Sequence, residues 1–189
     1  MIEKFKNIFE GLDRAHGVTI VGESNGNGTK VKGKSFVKRE PVTNELWQKH
    51  LDGIDSLGVI PINDDNKCKW GCIDIDTYPF DHKKFLNQLK TKNIPMILFR
   101  SKSGGGHACL FTNDFVPAVI MRAKLKLIAS ALGFAKAEIF PKQDYIRVDR
   151  GDTGSFLNLP YHGGDRTMRF AYDEKAEALK LNEFFEAYK

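Results

Sequence analysis

The chain has 189 residues, of which 41% are hydrophobic and 28% are charged. This composition supports one buried core, in one domain or two tightly fused halves, and excludes an intrinsically disordered chain. Of the two, we expect a single domain over residues 1–189. The net charge of +5 is compatible with a polyanionic partner such as a nucleic acid, although many basic proteins bind none.

The predicted elements begin with a helix over residues 2–16, in which apolar residues recur at helical spacing. Residues 22–35 are polar, basic and rich in glycine, which predicts a mobile loop. A second helix is predicted over 44–57, with Thr43 or Asn44 as its N-cap.

Two short apolar runs follow this helix, at 58–62 and 69–75, with a polar turn at 63–66 between them. Apolar runs separated by such a turn are typical of a β-hairpin. We therefore expect these two strands to pair with each other.

The remaining sequence alternates between helical and extended patterns. Helices are expected over 81–92, 116–132 and 173–188, and strands over 94–99, 108–111, 137–140 and 155–159. Gly133 is a typical stop for the middle helix. The order lacks the strict alternation of a doubly wound sheet, so the predicted class is α/β (α+β), with a mixed, largely antiparallel sheet flanked by helices.

An acidic pair lies at the end of an apolar strand, where Asp74 and Asp76 alternate with Ile73 and Ile75. Residues two apart in a strand point to the same face, so the two carboxylates project together. Such a pair is costly unless a cation lies between the acids, and hard ions such as Mg²⁺ prefer oxygen ligands. The alternative is a strand end with two solvated acids.

A glycine-rich turn is predicted between the strands 94–99 and 108–111. Glycines allow a close approach of the backbone to a ligand, and the surrounding hydroxyl, basic and imidazole groups suit a triphosphate. The alternative is a long hairpin turn that is merely basic. The candidate nucleotide-binding residues here are Arg100, Ser101, Ser103, Gly104, Gly105, Gly106 and His107.

A third acid, Glu138, lies in the apolar strand 137–140. A carboxylate among apolar neighbours requires a partner, which is either a cation shared with the acidic pair or a salt bridge to Lys136 or Lys142. Asp149 is a rival for the same role, and we prefer Glu138 mainly because of the family resemblance given below.

These three segments, in this order, resemble the motif set of the archaeo-eukaryotic primase superfamily. The strand ending in Asp74 and Asp76 matches the first motif, Gly105-Gly106-His107 the second, and Ala137-Glu138 the third. The stretches 138–143 and 158–161 are similar to stretches of phage and mobile-element primase-polymerases and of the primase domain of TOTE conflict systems.

The resemblance implies a catalytic core with an RRM-like palm and the activity of a template-dependent nucleotidyltransferase, a DNA primase or DNA polymerase. Two Mg²⁺ or Mn²⁺ ions would be held by Asp74, Asp76 and Glu138, with His107 as a further catalytic residue. Single-stranded DNA would be the template, dNTPs or NTPs the substrates, and a replicative helicase a candidate partner. Further candidate contacts are Lys142 and Asn158 for the nucleotide, and Arg166, Arg169, Lys30, Lys32 and Lys34 for nucleic acid, the three loop lysines being equally compatible with a solvated loop.

Three other functions fit parts of this set of motifs. A metal-dependent nuclease also uses clustered carboxylates, and an inactive module of the same fold would bind single-stranded nucleic acid without chemistry. The trio Gly163-Gly164-Asp165 is similar to a nucleotide-cyclase signature, but without the expected hairpin around it.

The cysteines and the hydropathy bear on location. Cys68, Cys72 and Cys109 cannot make a disulfide framework, and we expect them to be buried thiols. No stretch approaches the roughly 18 apolar residues of a membrane span, and the first residues lack an apolar signal-peptide core. We expect a cytoplasmic protein without membrane partners. The resemblance implies a bacterial host and a phage or mobile-element origin.

Overall fold

The computed structural model describes residues 1–22, 24–25, 29–30 and 33–189. For residues 24–25 and 29–30 it describes the backbone but not the side chains. The helices are α1 (Ile2–Phe9), α2 (Asn44–Leu51), α3 (His82–Thr91), α4 (Ala118–Ala131) and α5 (Leu181–Tyr188). The strands are β1 (His16–Ile20), β2 (Ser24–Asn25), β3 (Thr29–Lys30), β4 (Lys34–Lys38), β5 (Leu57–Val59), β6 (Lys67–Ile75), β7 (Ile97–Arg100), β8 (Gly106–Pro117), β9 (Glu138–Phe140) and β10 (Leu157–Asn158).

Two four-stranded antiparallel sheets organise the fold. The first sheet has the order β10-β5-β1-β4, and the second has the order β7-β8-β6-β9. Strands β2 and β3 form a separate short ladder. The predicted α/β (α+β) class and its antiparallel character are confirmed, with two sheets in place of one mixed sheet.

Both faces of the second sheet are covered because β6 is apolar on both sides. Ile73 and Ile75 lie in one core cluster, which also contains residues of α3 and α4 such as Phe85 and Leu125. Residues of the opposite face belong to a second, aromatic-rich cluster that includes the α1 and α5 residues Phe5, Phe9, Phe184 and Phe185. Burial on both faces explains the nearly continuous apolar run of β6, which ends where Asp74 meets solvent.

The first predicted helix is wrong beyond Phe9, where it ends. Glu10 is already extended, and Leu12 N–H donates to the Ile60 carbonyl at 2.9 Å. A Cβ on Gly11 would lie 2.1 Å from that same carbonyl oxygen, so only glycine permits this approach. The chain therefore runs along the segment after β5, and residue 16, the end of the predicted helix, is the first residue of β1.

The predicted hairpin of 58–62 with 69–75 is also wrong. Strand β5 pairs with β1 and β10 in the first sheet, whereas β6 pairs with β8 and β9 in the second. The turn itself exists, with Asn66 N–H donating to the Asn63 carbonyl at 3.0 Å. It carries the chain from one sheet to the other because longer-range partners bury both strands more completely.

Three further predictions are wrong in their extent. Helix α2 ends at Leu51, and residues 173–180 precede α5 in a non-helical segment that contains the isolated bridge between Tyr172 and Ala178. Part of the predicted loop 22–35 belongs to β2, β3 and β4, and residues 23, 26–28 and 31–32 lie outside the described residues. Within the described part of the chain, no helix combines the length and apolar character needed to cross a membrane.

Candidate functional site

The centre of the site is Asp74, whose backbone lies between two other predicted site residues. In the register of the second sheet, Asp74 pairs with His107 on β8 and with Glu138 on β9. Directly opposed residues of antiparallel strands present their side chains on the same face, so all three project to the same side. The structure thus brings the three sequence motifs, spread over 64 residues between Asp74 and Glu138, onto three adjacent strands.

Each acid has its own polar neighbour. The His107 Nε2 atom lies 3.3 Å from Asp74 Oδ1, in a half-buried environment where the two side chains are 16% and 25% exposed. The Tyr78 hydroxyl donates to Asp76 Oδ1 at 2.8 Å. The Lys142 ammonium donates to Glu138 Oε1 at 3.2 Å, with the Glu138 side chain 59% exposed. The predicted alternative for Glu138, a salt bridge to Lys142, is therefore present.

The donor chemistry of this set fits divalent cations, since carboxylates are the ligands that Mg²⁺ and Mn²⁺ prefer. Among the described residues, no group of three or more His, Cys, Asp or Glu side chains is already arranged around a metal position. Binding would therefore replace the Lys142 contact of Glu138, which is an exposed ion pair of low stability.

The predicted glycine turn connects β7 to β8 and is closed by its own backbone. Gly104 N–H donates to the Ser101 carbonyl at 3.0 Å, and Ser101 N–H donates to the Gly105 carbonyl at 3.2 Å. Gly104 has a φ of +90°, a conformation that favours glycine. Because these two N–H groups are used within the turn, a phosphate there would be contacted by side chains and by the other N–H groups of the turn.

Asp74, Asp76 and part of the turn line one cleft of about 270 Å³ between the two sheets. Arg169 reaches it from beyond β10 and donates to Ser56 Oγ at 3.0 Å, and burial lowers the pKa of Arg169. Larger cavities of about 520 and 490 Å³ lie elsewhere, but neither contains the acidic pair or the turn. The cleft is lined by Asp74, Asp76, Ser101, Lys102, Ser103, His107, Phe140, Phe156, Leu157, Asn158 and Arg169.

Several predicted residues do not line the cleft. Arg100 lies at the base of the turn, where its side chain donates to the Met168 carbonyl at 3.3 Å. Arg166 lines a different cavity, next to the start of α5. Lys34 begins the edge strand β4, the side chain of Lys30 is not described, and Lys32 lies outside the described residues. Gly104, Gly105, Gly106, Glu138 and Lys142 are close in sequence or register to the lining residues without being among them.

The rival acid and the cyclase-like trio have structural explanations. Asp149 accepts two hydrogen bonds from Arg147, at 2.9 and 2.7 Å, and this interaction lowers the pKa of Asp149. Asp165 accepts from Leu181 N–H at 2.8 Å and so contributes to the start of α5. Neither residue lines the cleft.

Phe156 is a cleft residue that the sequence reasoning missed. Its ring lies so close to Gly17 and Gly58 that a Cβ on either would approach ring atoms to 2.1 or 2.3 Å. The side-chain oxygen of Asn158, two residues after Phe156, lies 3.3 Å from Thr19 Oγ1. No local spacing could have revealed this arrangement, because the glycines lie on β1 and β5, about 100 or more residues before Phe156.

The comparisons with known proteins agree with this arrangement of motifs and strands. A family model described as "TOTE conflict system, Archaeo-Eukaryotic Primase domain" matches residues 19–179. The matched region contains the acidic pair, the glycine turn, the third acid and both four-stranded sheets except the first three residues of β1. A search of curated proteins finds no match. Since the family model covers most of the sequence, the chain belongs to the archaeo-eukaryotic primase domain family of TOTE conflict systems.

Proposed function

We propose that the protein is a template-dependent nucleotidyltransferase, a DNA primase or DNA polymerase that acts on single-stranded DNA with dNTPs or NTPs. The observation that carries the proposal is the register of Asp74 with both His107 and Glu138, at the wall of a cleft that also contains Asp76. Membership of a primase family supports the same general chemistry.

The acids would hold the divalent ions that such chemistry uses. Asp74, Asp76 and Glu138 present carboxylates from one strand end and its neighbour, which fits Mg²⁺ or Mn²⁺. Two such ions, when bound, activate an attacking hydroxyl and stabilise a leaving phosphate oxygen. The 3′-oxygen of the growing strand would form a bond to the α-phosphorus while the bond to pyrophosphate breaks.

The remaining cleft side chains would orient the triphosphate. His107 and Lys102 can donate to phosphate oxygens, and Ser101 and Ser103 add hydroxyl groups. Lys142, once displaced from Glu138 by a cation, would be free to contact the nucleotide. Arg169 is already held by Ser56, so its guanidinium can meet a phosphate with little loss of side-chain entropy.

The opposite wall of the cleft would contact the nucleotide or the template. Phe156 presents an aromatic ring and Asn158 an amide at this wall, groups that suit a base and a sugar respectively. Lys34 and Arg166 are exposed and remain candidate template contacts, and Lys30 and Lys32 remain candidates from the sequence. A replicative helicase remains a proposed partner.

The decisive experiment is an extension assay with a single-stranded template, labelled nucleotides and Mg²⁺ or Mn²⁺, with and without a primer. We expect metal-dependent products from the wild type and at least a 100-fold loss in the Asp74→Asn/Asp76→Asn double variant. Asp114→Asn is the matched control, because Asp114 is exposed on β8 outside the cleft, and it should retain activity. Products formed without a primer would identify a primase.

A second candidate is a single-strand-binding module without catalytic activity. It is favoured by the exposed ion pair between Glu138 and Lys142, which leaves the third acid outside the cleft lining. Tight binding of single-stranded DNA with no synthesis under any nucleotide or metal would establish this alternative. Strand cleavage without nucleoside triphosphates would instead establish the nuclease.

A further inference from the structure

Tyr78 lies two residues after Asp76 and connects the acidic pair to the glycine turn. Its hydroxyl donates to Asp76 Oδ1 at 2.8 Å and lies 2.5 Å from Ser103 Oγ. An ionised carboxylate can only accept, so the single phenolic proton goes to Asp76 and Ser103 donates its own proton to the phenolic oxygen. The result is a directed chain of two hydrogen bonds from the turn to the acid.

The backbone of the turn is shaped to admit this hydroxyl. A Cβ on Gly105 would lie 3.3 Å from the Tyr78 hydroxyl and 2.3 Å from the Ile75 carbonyl oxygen. The His82 Nε2 atom contacts the Gly105 carbonyl oxygen at 3.0 Å. Tyr78, Gly105 and the end of β6 therefore form one contact region, which only a residue without a side chain allows at position 105.

Core packing does not explain this position of Tyr78. Its residue surface is 51% exposed, in contrast to the fully buried Tyr161, whose hydroxyl donates to the Leu179 carbonyl at 2.8 Å. An exposed tyrosine contributes little burial energy. We therefore interpret its two hydrogen bonds by the groups that they orient, which are Asp76 and Ser103.

We propose that Tyr78 is a positioning residue that fixes the Asp76 carboxylate and couples it to Ser103 on the turn. The inference rests on the proposed function, in which Asp76 binds a cation and Ser103 contacts the triphosphate. Partners that orient a metal-binding carboxylate typically contribute 10- to 100-fold to metal affinity or activity. Only one oxygen of Asp76 is engaged by Tyr78, which leaves the other oxygen for a cation.

The test compares Tyr78→Phe with Tyr145→Phe. Both tyrosines are exposed, at 51% and 69%, and Tyr145 does not line the cleft. Four quantities are measured: Mn²⁺ affinity by titration without nucleotide, hydrogen exchange of the amides of residues 101–106, steady-state synthesis, and the thermal midpoint. We expect Tyr78→Phe to bind Mn²⁺ at least 10-fold more weakly, to exchange faster in the turn and to lose kcat/KM at least 10-fold. Its thermal midpoint should stay within about 2 °C of wild type, and Tyr145→Phe should resemble wild type throughout.

Two outcomes separate this inference from the proposed function. Unchanged Mn²⁺ affinity and unchanged exchange of the turn in Tyr78→Phe would overturn the positioning role, even if synthesis by the wild type is robust. If the wild type makes no product, the proposed function fails. In that case faster hydrogen exchange of the turn in Tyr78→Phe still supports the positioning role of Tyr78, and unchanged exchange overturns it.

Discussion

His50 should make the stability of the protein fall as the solution becomes acidic. The imidazole is completely buried and bridges three parts of the fold. Leu57 N–H donates to Nδ1 at 2.9 Å, so Nδ1 has no proton, and Nε2–H donates to the Pro160 carbonyl at 2.7 Å. The ring is therefore neutral, and it ties α2 to β5 and to the segment that follows β10. Burial lowers the pKa of His50 from its ordinary 6.5 to about 4, against a smaller opposing effect of the Pro160 hydrogen bond.

The direction of the effect follows from which state binds the proton. Above about pH 6.5 both states are neutral at this position and His50 contributes no pH dependence. Between about pH 6.5 and about pH 4 the unfolded chain is protonated and the folded chain is not, so the free energy of unfolding decreases as the pH falls. The gap between 6.5 and about 4, at about 1.4 kcal/mol for each pH unit, gives a total of about 3 kcal/mol. About 2 kcal/mol of this should be lost between about pH 7.5 and about pH 5.

Urea unfolding followed by tryptophan fluorescence measures this quantity, because Trp47 and Trp70 are both buried. The comparison is with His50→Gln, whose amide supplies a donor and an acceptor but does not titrate. The variant should be less stable at neutral pH by about 1 kcal/mol or more, since glutamine cannot reproduce both hydrogen bonds with the ring geometry. Its loss of stability between the two pH values should be smaller than that of wild type by about 2 kcal/mol. Carboxylates titrate in both proteins and cancel in this difference. Equal losses in the two proteins would refute the assignment of the pH dependence to His50.

Two other predictions concern the turn and the thiols. Gly105→Ala places a Cβ 2.3 Å from the Ile75 carbonyl oxygen, so the turn must shift. We expect about 1–3 kcal/mol of destabilisation in thermal unfolding and at least a 10-fold loss of synthesis. Wild-type stability together with wild-type synthesis would contradict the contact. Burial raises the pKa of Cys68 to about 12 and also raises that of Cys72. The native protein should therefore react slowly with a disulfide reagent at neutral pH, whereas unfolding should release three fast thiols; rapid reaction of the folded protein would show that these side chains are accessible.

The parts of the site that could be predicted from sequence are those whose chemistry is local. Alternation along β6 separates Asp74 from Ile73 and Ile75, and this separation is a property of any extended chain. The glycine turn was predicted because it lies between two strands that are neighbours in sequence and do pair with each other. Helix α3 was predicted to within a residue at each end from the helical spacing of its apolar residues, and the structure adds that Asp81 caps it by accepting from Lys84 N–H at 3.0 Å.

The parts that were predicted wrongly depend on distant partners. The apolar run of β5 does not indicate whether this strand pairs with β6 or with β1 and β10. In the structure it pairs with β1 and β10. The amphipathic pattern of residues 2–16 fits a helix throughout, but contact of Gly11 with the Ile60 carbonyl ends it early. In both cases long-range burial outweighs a weak local preference.

The sequence by itself determined the local features of this protein: which carboxylates project together, where the glycine turn lies, and which strands carry them. Tertiary structure alone decided the neighbours of those groups. It placed Asp74 between His107 and Glu138 in the sheet and paired Glu138 with Lys142. It also packed Phe156 against Gly17 and Gly58, which are distant in sequence. The physical reason is that side-chain direction within a strand follows from the backbone of a few residues, whereas strand order depends on the burial that the whole chain can achieve.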